Sequence, residues 1–463
     1  MNSQQETLDP AGLRASFGGE LVTPDDPSYD DARAVWNGMV TTRPALIARC
    51  QTVSDIAAAV NFARATGTPP AVRAGGHSVG GLSSCDGLVI DLSAMKGVRV
   101  DPERRVAVVQ RGATWADFDA ATAEHGLAST GGLISSTGVA GLTLGGGIGW
   151  LQRAHGLACD NLIGADVVTA SGEVVHADDA NRPDLMWGLR GGGGNFGIVS
   201  SFEFALHPVS TVLGGLMLFG WDQAGEVLAT FREWAADLPD EGGSMLAAVM
   251  TAPPEPFVPE HLVGRPVLGI VGCWCGDFDA GQAALGALRE LKPAVDLFGP
   301  IPYPALQGML DAGAPTGVRN YFRAGYADDL TDAMIDVLVE HGSRLPSPMS
   351  AIHIHQMGGA VARVAADATA FGNRGAAFAY NLVSTWTDPH EDEQHIDANR
   401  ALAAALEPMS TGGAYVNFLG DEGNTRIRAA YGESTYDRLA QLKRTYDPEN
   451  LFRRNQNIPP AAT

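Results

Sequence analysis

Arg73-Ala-Gly-Gly-His77-Ser-Val-Gly-Gly81 is the stretch on which the reading of this chain turns. Pro70-Ala-Val72 before it and Leu88-Val-Ile-Asp-Leu92 after it read as short strands. Glycine lets a backbone turn through positive φ and lets its N–H groups come close to a ligand. Successive N–H groups in such a loop form a nest that suits an anion such as a pyrophosphate. His77 is the odd member. An imidazole gives a phosphate-holding loop no advantage over a small residue, but a nucleophilic ring nitrogen beside a bound cofactor can be bonded to it.

Downstream lies the longest small-residue tract, Ser129-Thr-Gly-Gly-Leu-Ile-Ser-Ser-Thr-Gly-Val-Ala-Gly-Leu-Thr-Leu-Gly-Gly-Gly-Ile-Gly149. A flexible linker would lack the apolar residues that recur between these glycines and the Trp150-Leu151 that closes the run. The tract reads as backbone lying against a large flat ligand, where side chains would collide. Gly145-Gly-Gly-Ile-Gly149 lacks the spacing of the dinucleotide fingerprint, which disfavours a Rossmann NAD enzyme.

The 463 residues exceed what one core usually serves, so two domains are expected. A net charge of −22 argues against nucleic acid and against anionic membrane as partners. Five cysteines, an odd number without paired CxxC motifs, read as buried thiols in a reducing compartment, Cys273-Trp-Cys275 included. The N-terminus has no basic start and no apolar core of a signal peptide, and no apolar run reaches the ~20 residues of a membrane helix. A cytoplasmic protein is expected.

In order, residues 1–35 read as irregular with short helical pieces, and Pro44–Arg49 as a strand. Thr52-Val-Ser54 caps a helix over 55–66. Strands follow over 98–100 and 106–109, then a helix from Thr114 to His125 ended by Gly126. Residues 160–169 and 173–175 pair across Ser171-Gly172. Residues 184–197 read as a second glycine-rich turn, leading into a strand over 198–206. Beyond 208 the glycines thin. Helices over 224–238, 280–291 and 333–341 alternate with strands such as 267–271 and 350–355. The polar ending, Tyr446 to Pro459, reads as a return to the first domain.

His77 in its double-glycine loop, the 129–149 tract, the Trp187–Gly197 turn and the Tyr446–Pro459 ending occur in one order. Together they resemble the vanillyl-alcohol-oxidase flavoproteins, specifically the berberine-bridge-enzyme-like oxidases, near the 6-hydroxynicotine oxidase and polyketide-tailoring types. The resemblance implies an α+β protein. Residues 1–208 form a PCMH-type FAD-binding domain of two α/β subdomains. Residues 209–414 form a substrate domain with an antiparallel sheet flanked by helices, and 415–463 return to complete the first domain. It implies FAD bonded through its 8α-methyl to His77. Ile134 stands where relatives carry a second, cysteinyl attachment, so a single bond is expected.

On the same basis Arg73, Gly75, Gly76, Ser78, Gly80 and Gly81 hold the pyrophosphate or the flavin edge. Thr137, Gly138, Gly141, Leu142, Gly145, Gly146, Gly147, Ile148 and Gly149 pass along the pyrophosphate and isoalloxazine, Thr137 near flavin C4a. Ile198 meets the adenine end, and Asn455 and Asn457 bond the cofactor or close the domain. On the substrate side His353 takes the place of the family's acid/base residue, five positions before Gly358-Gly359. His355 shares its strand face, and Tyr415 and Asn417 form a YxN element beside the flavin. Imidazole titrates near neutrality and can take a substrate proton. Arg363, Arg374 and Tyr380 read as structural, and no third ligand accompanies the histidines to make a metal site. The implied activity is oxidation of a small organic molecule at a C–H bearing O or N, with O2 as acceptor, by a monomer or homodimer. A dehydrogenase with another acceptor, an oxygen-inserting tailoring enzyme, or a protein that only carries a nucleotide also fits these residues.

Overall fold

The computed structural model describes residues 8–420 and 422–462. Its first unit is built on a reciprocal cap. The Thr52 hydroxyl accepts from the Asp55 N–H at 3.2 Å, and the Asp55 carboxylate accepts from the Thr52 N–H at 2.9 Å. Such a cap stabilises by about 1 kcal/mol. The helix it starts, Val53–Thr66, ends at Gly67 in the left-handed region, φ 64°. Its buried Ile56, Ala59 and Val60 pack on Leu46, Ala48, Leu88 and Ile90. Those residues belong to a four-stranded sheet ordered Glu20–Val22, Leu46–Arg49, Leu88–Asp91, Ala71–Arg73, with the last three parallel. The His77 loop leaves the carboxyl end of its edge strand.

The second unit is a five-stranded antiparallel sheet in the order 98–101, 106–110, 198–205, 162–168, 174–178. Thr114 and Asp117 form a second capping box at the start of helix Trp115–Ala123, and Trp115 and Phe118 pack edge-on against Phe204. The segment read as a turn over 184–197 begins instead as a helix, Pro183–Leu189. Pro183 sets φ for the first turn and lacks only an N–H the helix would not use, while Leu185, Met186 and Leu189 are buried. Turn geometry starts after Leu189.

The third unit is an eight-stranded antiparallel sheet, ordered 295–296, 211–220, 266–274, 244–251, 351–356, 378–386, 319–327, with 299–302 also on the 211–220 strand. Alternation splits its two faces. Met217, Ile270, Ala247, Ile354 and Leu382 pack beneath helices Ala224–Asp237, Asp332–Gly342 and Asp392–Leu406. Leu216, Leu246, His353, Asn381 and Val383 face a cavity. The single helix expected over 280–291 is two, Phe278–Ala284 and Gly286–Glu290, broken where buried Leu285 meets Gly286. No helix among the described residues is long and apolar enough to cross a membrane.

The last fifty residues return to the second unit, where Leu439 and Leu442 join the core of Trp115 and Phe202. A fully buried ion pair locks them. Lys443 Nζ reaches Asp447 at 2.7 Å and donates to the carbonyls of Asn195 and Phe452, each at 2.8 Å. Asp447 in turn accepts from the N–H groups of Leu451 and Phe452. Removing one partner of such a pair leaves a buried charge, so Lys443→Met is expected to cost about 3–5 kcal/mol. The double variant Lys443→Met/Asp447→Asn should recover part of the loss in a denaturant series. A single-variant cost near zero would show that the pair does not hold the tail.

Candidate active site

The cavity, about 1100 Å³, lies between the glycine loops of the first two units and the open face of the large sheet. On the glycine side the two loops touch backbone to backbone. A Cβ built on Gly75 would stand 2.6 Å from the Gly138 Cα, and one on Gly138 would stand 2.7 Å from the Gly75 N. Neither position tolerates a side chain at this separation. His77 projects beside this contact, its ring stacked on Trp36 with centroids 4.2 Å apart and planes 16° from parallel. No protein hydrogen bond occupies its ring nitrogens among the described residues. Burial pushes its pKa down to about 4, partly opposed by Asp311, so the ring is neutral at physiological pH.

Trp36 and its neighbours fix this geometry, and the sequence reading had no hold on them. Trp36 Nε1 donates to the Ala314 carbonyl at 3.0 Å. The Asn37 amide donates to the carbonyls of Val79 in the loop and Asn320 in the large sheet, at 2.8 and 2.9 Å. The Asn37-Gly38 pair was the available signal, since it marks a tight turn.

On the sheet side His353 stands in register with Asn381 of the neighbouring strand. His355 is 1% exposed, with its Nε2 unpaired; the Asn381 Oδ1 is unpaired too. Burial brings His353 down to about 4 and His355 to about 3. On one side of them the wall is apolar, with Leu216, Leu246, Met250, Val271, Met309 and Leu310, and on the other it carries Asn320, Ser350 and Thr385. Phe257, Val263 and Leu297 are exposed at its mouth.

Tyr415 was expected to alternate with Asn417 along a strand. It precedes a single 3₁₀ turn, Val416–Phe418, instead. Its hydroxyl oxygen accepts from the Gly147 N–H at 2.8 Å, the Ile148 N–H at 3.2 Å and Asn417 Nδ2 at 2.8 Å. Burial pushes its pKa up to about 12 against those donors.

Of the expected cofactor contacts, Gly75, Gly76, His77, Ser78, Thr137, Gly138, Gly141, Leu142, Gly145, Ile148 and Asn455 line the cavity, as do His353, His355 and Tyr415. Arg73, Gly80, Gly81, Gly146, Gly147, Gly149, Ile198 and Asn457 do not. Arg73 is held by Asp91 at 3.0 Å on the far side of its strand. Gly146 and Gly147 turn at φ 122° and 94° against Phe371 and Ala158. A Cβ on Gly149 would lie 1.7 Å from the Gly131 carbonyl oxygen. These glycines serve the packing of the loop itself. Ile198 yields its place on the wall to Gly197. Arg374 and Arg363 pair with Asp160 and Asp240, away from the wall. None of the five cysteines lines the cavity, and Ile134 does.

Residues 44–178 match the FAD binding domain family, and residues 414–459 match the berberine and berberine-like family. The chain is 34% identical over 457 residues to an FAD-linked oxidoreductase of Bacillus subtilis, covering 96% of this chain and 97% of that one. This chain belongs to the berberine-like FAD-linked oxidoreductases. The solved 6-hydroxy-D-nicotine oxidase of Arthrobacter nicotinovorans aligns with TM-score 0.84 and 27% identity, over 98% of this chain and 100% of that one. Glucooligosaccharide oxidase of Acremonium strictum, described with a 6-S-cysteinyl, 8α-N1-histidyl FAD, aligns with TM-score 0.85 and 25% identity over 98% and 99%.

FAD is the cofactor of this oxidoreductase, and the residues present fit it. The Cβ directions of Gly141 and Gly194, both on the wall, meet nothing within 4 Å. The buried Asn455 Oδ1 has no protein partner. Filling that space should exclude the cofactor without disturbing the fold. Gly141→Val is therefore expected to give folded, colourless protein, and absorbance at flavin wavelengths with circular dichroism checks it. A yellow Gly141→Val protein would move FAD elsewhere.

Proposed function

We propose that this oxidoreductase carries FAD tethered by one covalent bond at His77 and oxidises a small, uncharged, largely apolar molecule at a C–H that bears OH or NH. Residues 1–208 and 415–463 hold FAD on this reading, and 209–414 hold the substrate. The observation that carries it is a pair of neutral imidazoles on opposite walls of one cavity. His77 on the glycine side is an unprotonated nucleophile, positioned by Trp36. His353 on the sheet side is an unprotonated acceptor facing the substrate space.

Bound FAD supplies a two-electron acceptor at N5 and passes the pair on, here to O2 to give H2O2. The chain's own part is to bind, orient and deprotonate. His353 takes the heteroatom proton as the hydride leaves the adjacent carbon. Asn381 and His355 offer unpaired polar atoms to that heteroatom. The apolar compartment excludes water and favours an aromatic or alicyclic body over a sugar or a charged amine. Ile134 and the absence of cysteine on the wall support a single tether.

Tyr415 is the second candidate base, because three donors converge on its oxygen. pH separates the two. A base works in its unprotonated form, and His353 loses its proton above about 4. With His353 as base the anaerobic flavin-bleaching rate should be flat from about pH 5.5 to about 8 and fall toward acid. With Tyr415, raised to about 12, it should climb steadily toward alkali. His353→Asn should slow bleaching by roughly 10²–10⁴-fold. Stopped-flow reduction with a panel of phenols, alicyclic alcohols, amines and sugars tests the substrate class, and sugars as best substrates would reject it. For the tether, His77→Ala should release all its flavin on acid precipitation while the parent protein stays yellow. A parent pellet without colour would refute attachment at that residue.

A further inference from the structure

Among the described residues, buried positive charge comes with a counter-charge, except at one place. Arg73 pairs with Asp91, Arg374 with Asp160 and Lys443 with Asp447. Arg153 donates to two carbonyls at 2.6 Å and lies in the field of Asp240. Arg111 is 6% exposed, and no ion pair reaches it among the described residues. Its Nη1 donates to the Val199 carbonyl at 3.2 Å, and its Nε has no partner. Burial pulls its pKa down to about 10 with no acidic neighbour opposing it, so it stays charged at neutral pH. An isolated buried ion is strongly unfavourable unless something pairs with it.

Arg111 lies on the cavity wall. It follows the strand Val106–Gln110, and its N–H donates to the Ser200 carbonyl. Two residues on, the Ala113 carbonyl accepts from the Val139 N–H at 3.0 Å. Arg111 thus stands between the Gly138 loop and the Gly197 turn. The other charged arginine and carboxylate side chains of the wall, Arg454 and Glu255, are exposed at its rim. FAD has one anionic part, its diphosphate. The isoalloxazine, sugar and adenine portions are uncharged near neutrality.

We infer that Arg111 is the counter-ion of the FAD diphosphate, a cation the protein leaves unpaired until the cofactor enters. This rests on FAD as cofactor and is independent of the substrate and of the tether. It carries a signature that a scaffold residue lacks. Arg111 is a liability in the flavin-free protein and an asset in the loaded one.

The test compares Arg111→Met and Arg111→Lys, full length, as loaded enzyme and as flavin-free protein from riboflavin-starved cells. Arg111→Met should raise the thermal midpoint of the flavin-free protein and lower that of the loaded one. In a His77→Ala background, where FAD is held reversibly, Arg111→Met should weaken FAD by about tenfold or more and flatten its salt dependence. Arg111→Lys should restore most of both. Midpoints that move in the same direction in both states, unfolding in both states, or unchanged FAD affinity would each overturn the assignment.

Discussion

Two glycine loops held in backbone contact set everything else in this structure. Gly75 and Gly138 meet so closely that one methyl group on either would force them apart. The Thr114–Trp115 backbone bonds the 137–138 backbone, so the contact at Gly75 joins the first two sheets into one wall. A wall made of backbone offers a flat ligand N–H groups at short range and no side chain to displace. Residues that look dispensable by size are therefore the ones least free to change. Gly146, Gly147 and Gly149 show the same economy one layer back, where they let the wall lie flush on the protein behind it.

The opposite wall follows from period-two alternation in the large sheet. One face meets three helices and is mainly apolar, with Gln356 and Ser384 bonded to those helices. The other is free to carry chemistry, and it carries His353, His355 and Asn381, with Asn320 and Thr385 beyond them, beside an apolar stretch around Leu216 and Leu246. Low polarity is what keeps these histidines neutral. It also raises the worth of any hydrogen bond they make to a substrate. The same medium that makes an unpaired Arg111 costly makes unprotonated imidazoles available as nucleophile and base.

Much of this was legible in the sequence, for a physical reason. His77 and the glycine tracts report local backbone demands, and local demands leave local signatures. The cap at Thr52, the helix start at Thr114 and the strands were legible for the same reason. The residues that misread were those whose role is set by contacts far along the chain. Arg73 sits in the right loop, yet its guanidinium turns back to Asp91. Gly80 and Gly81 share the motif but not the wall. Trp36 carries no motif and Asn37 only the turn signal it shares with Gly38, and both have partners nearly three hundred residues away. Tyr415 was read as a wall residue; its hydroxyl is also a fastener for the Gly147 loop. Arg111 gives no signal in one dimension, because an arginine is unusual only once its lack of a carboxylate can be seen.

The tail explains how such a cavity is closed. Tyr415 ties down the Gly147–Ile148 backbone, Asn417 ties the Leu142 carbonyl, and Lys443 ties the Asn195 carbonyl to the chain end. Asn455 and Gln456 then line the cavity from the same segment. The 142–148 stretch and the Asn195 turn are thus secured by residues beyond 414. The walls themselves cannot supply these bonds, since glycine has no side chain to offer. A surface stripped of side chains to admit a flat ligand has to be braced from outside, and the C-terminal segment is where this chain keeps the polar groups that do so. The cost of a naked wall is met by a decorated tail, and that division of labour ties cavity shape to the docking of the last fifty residues.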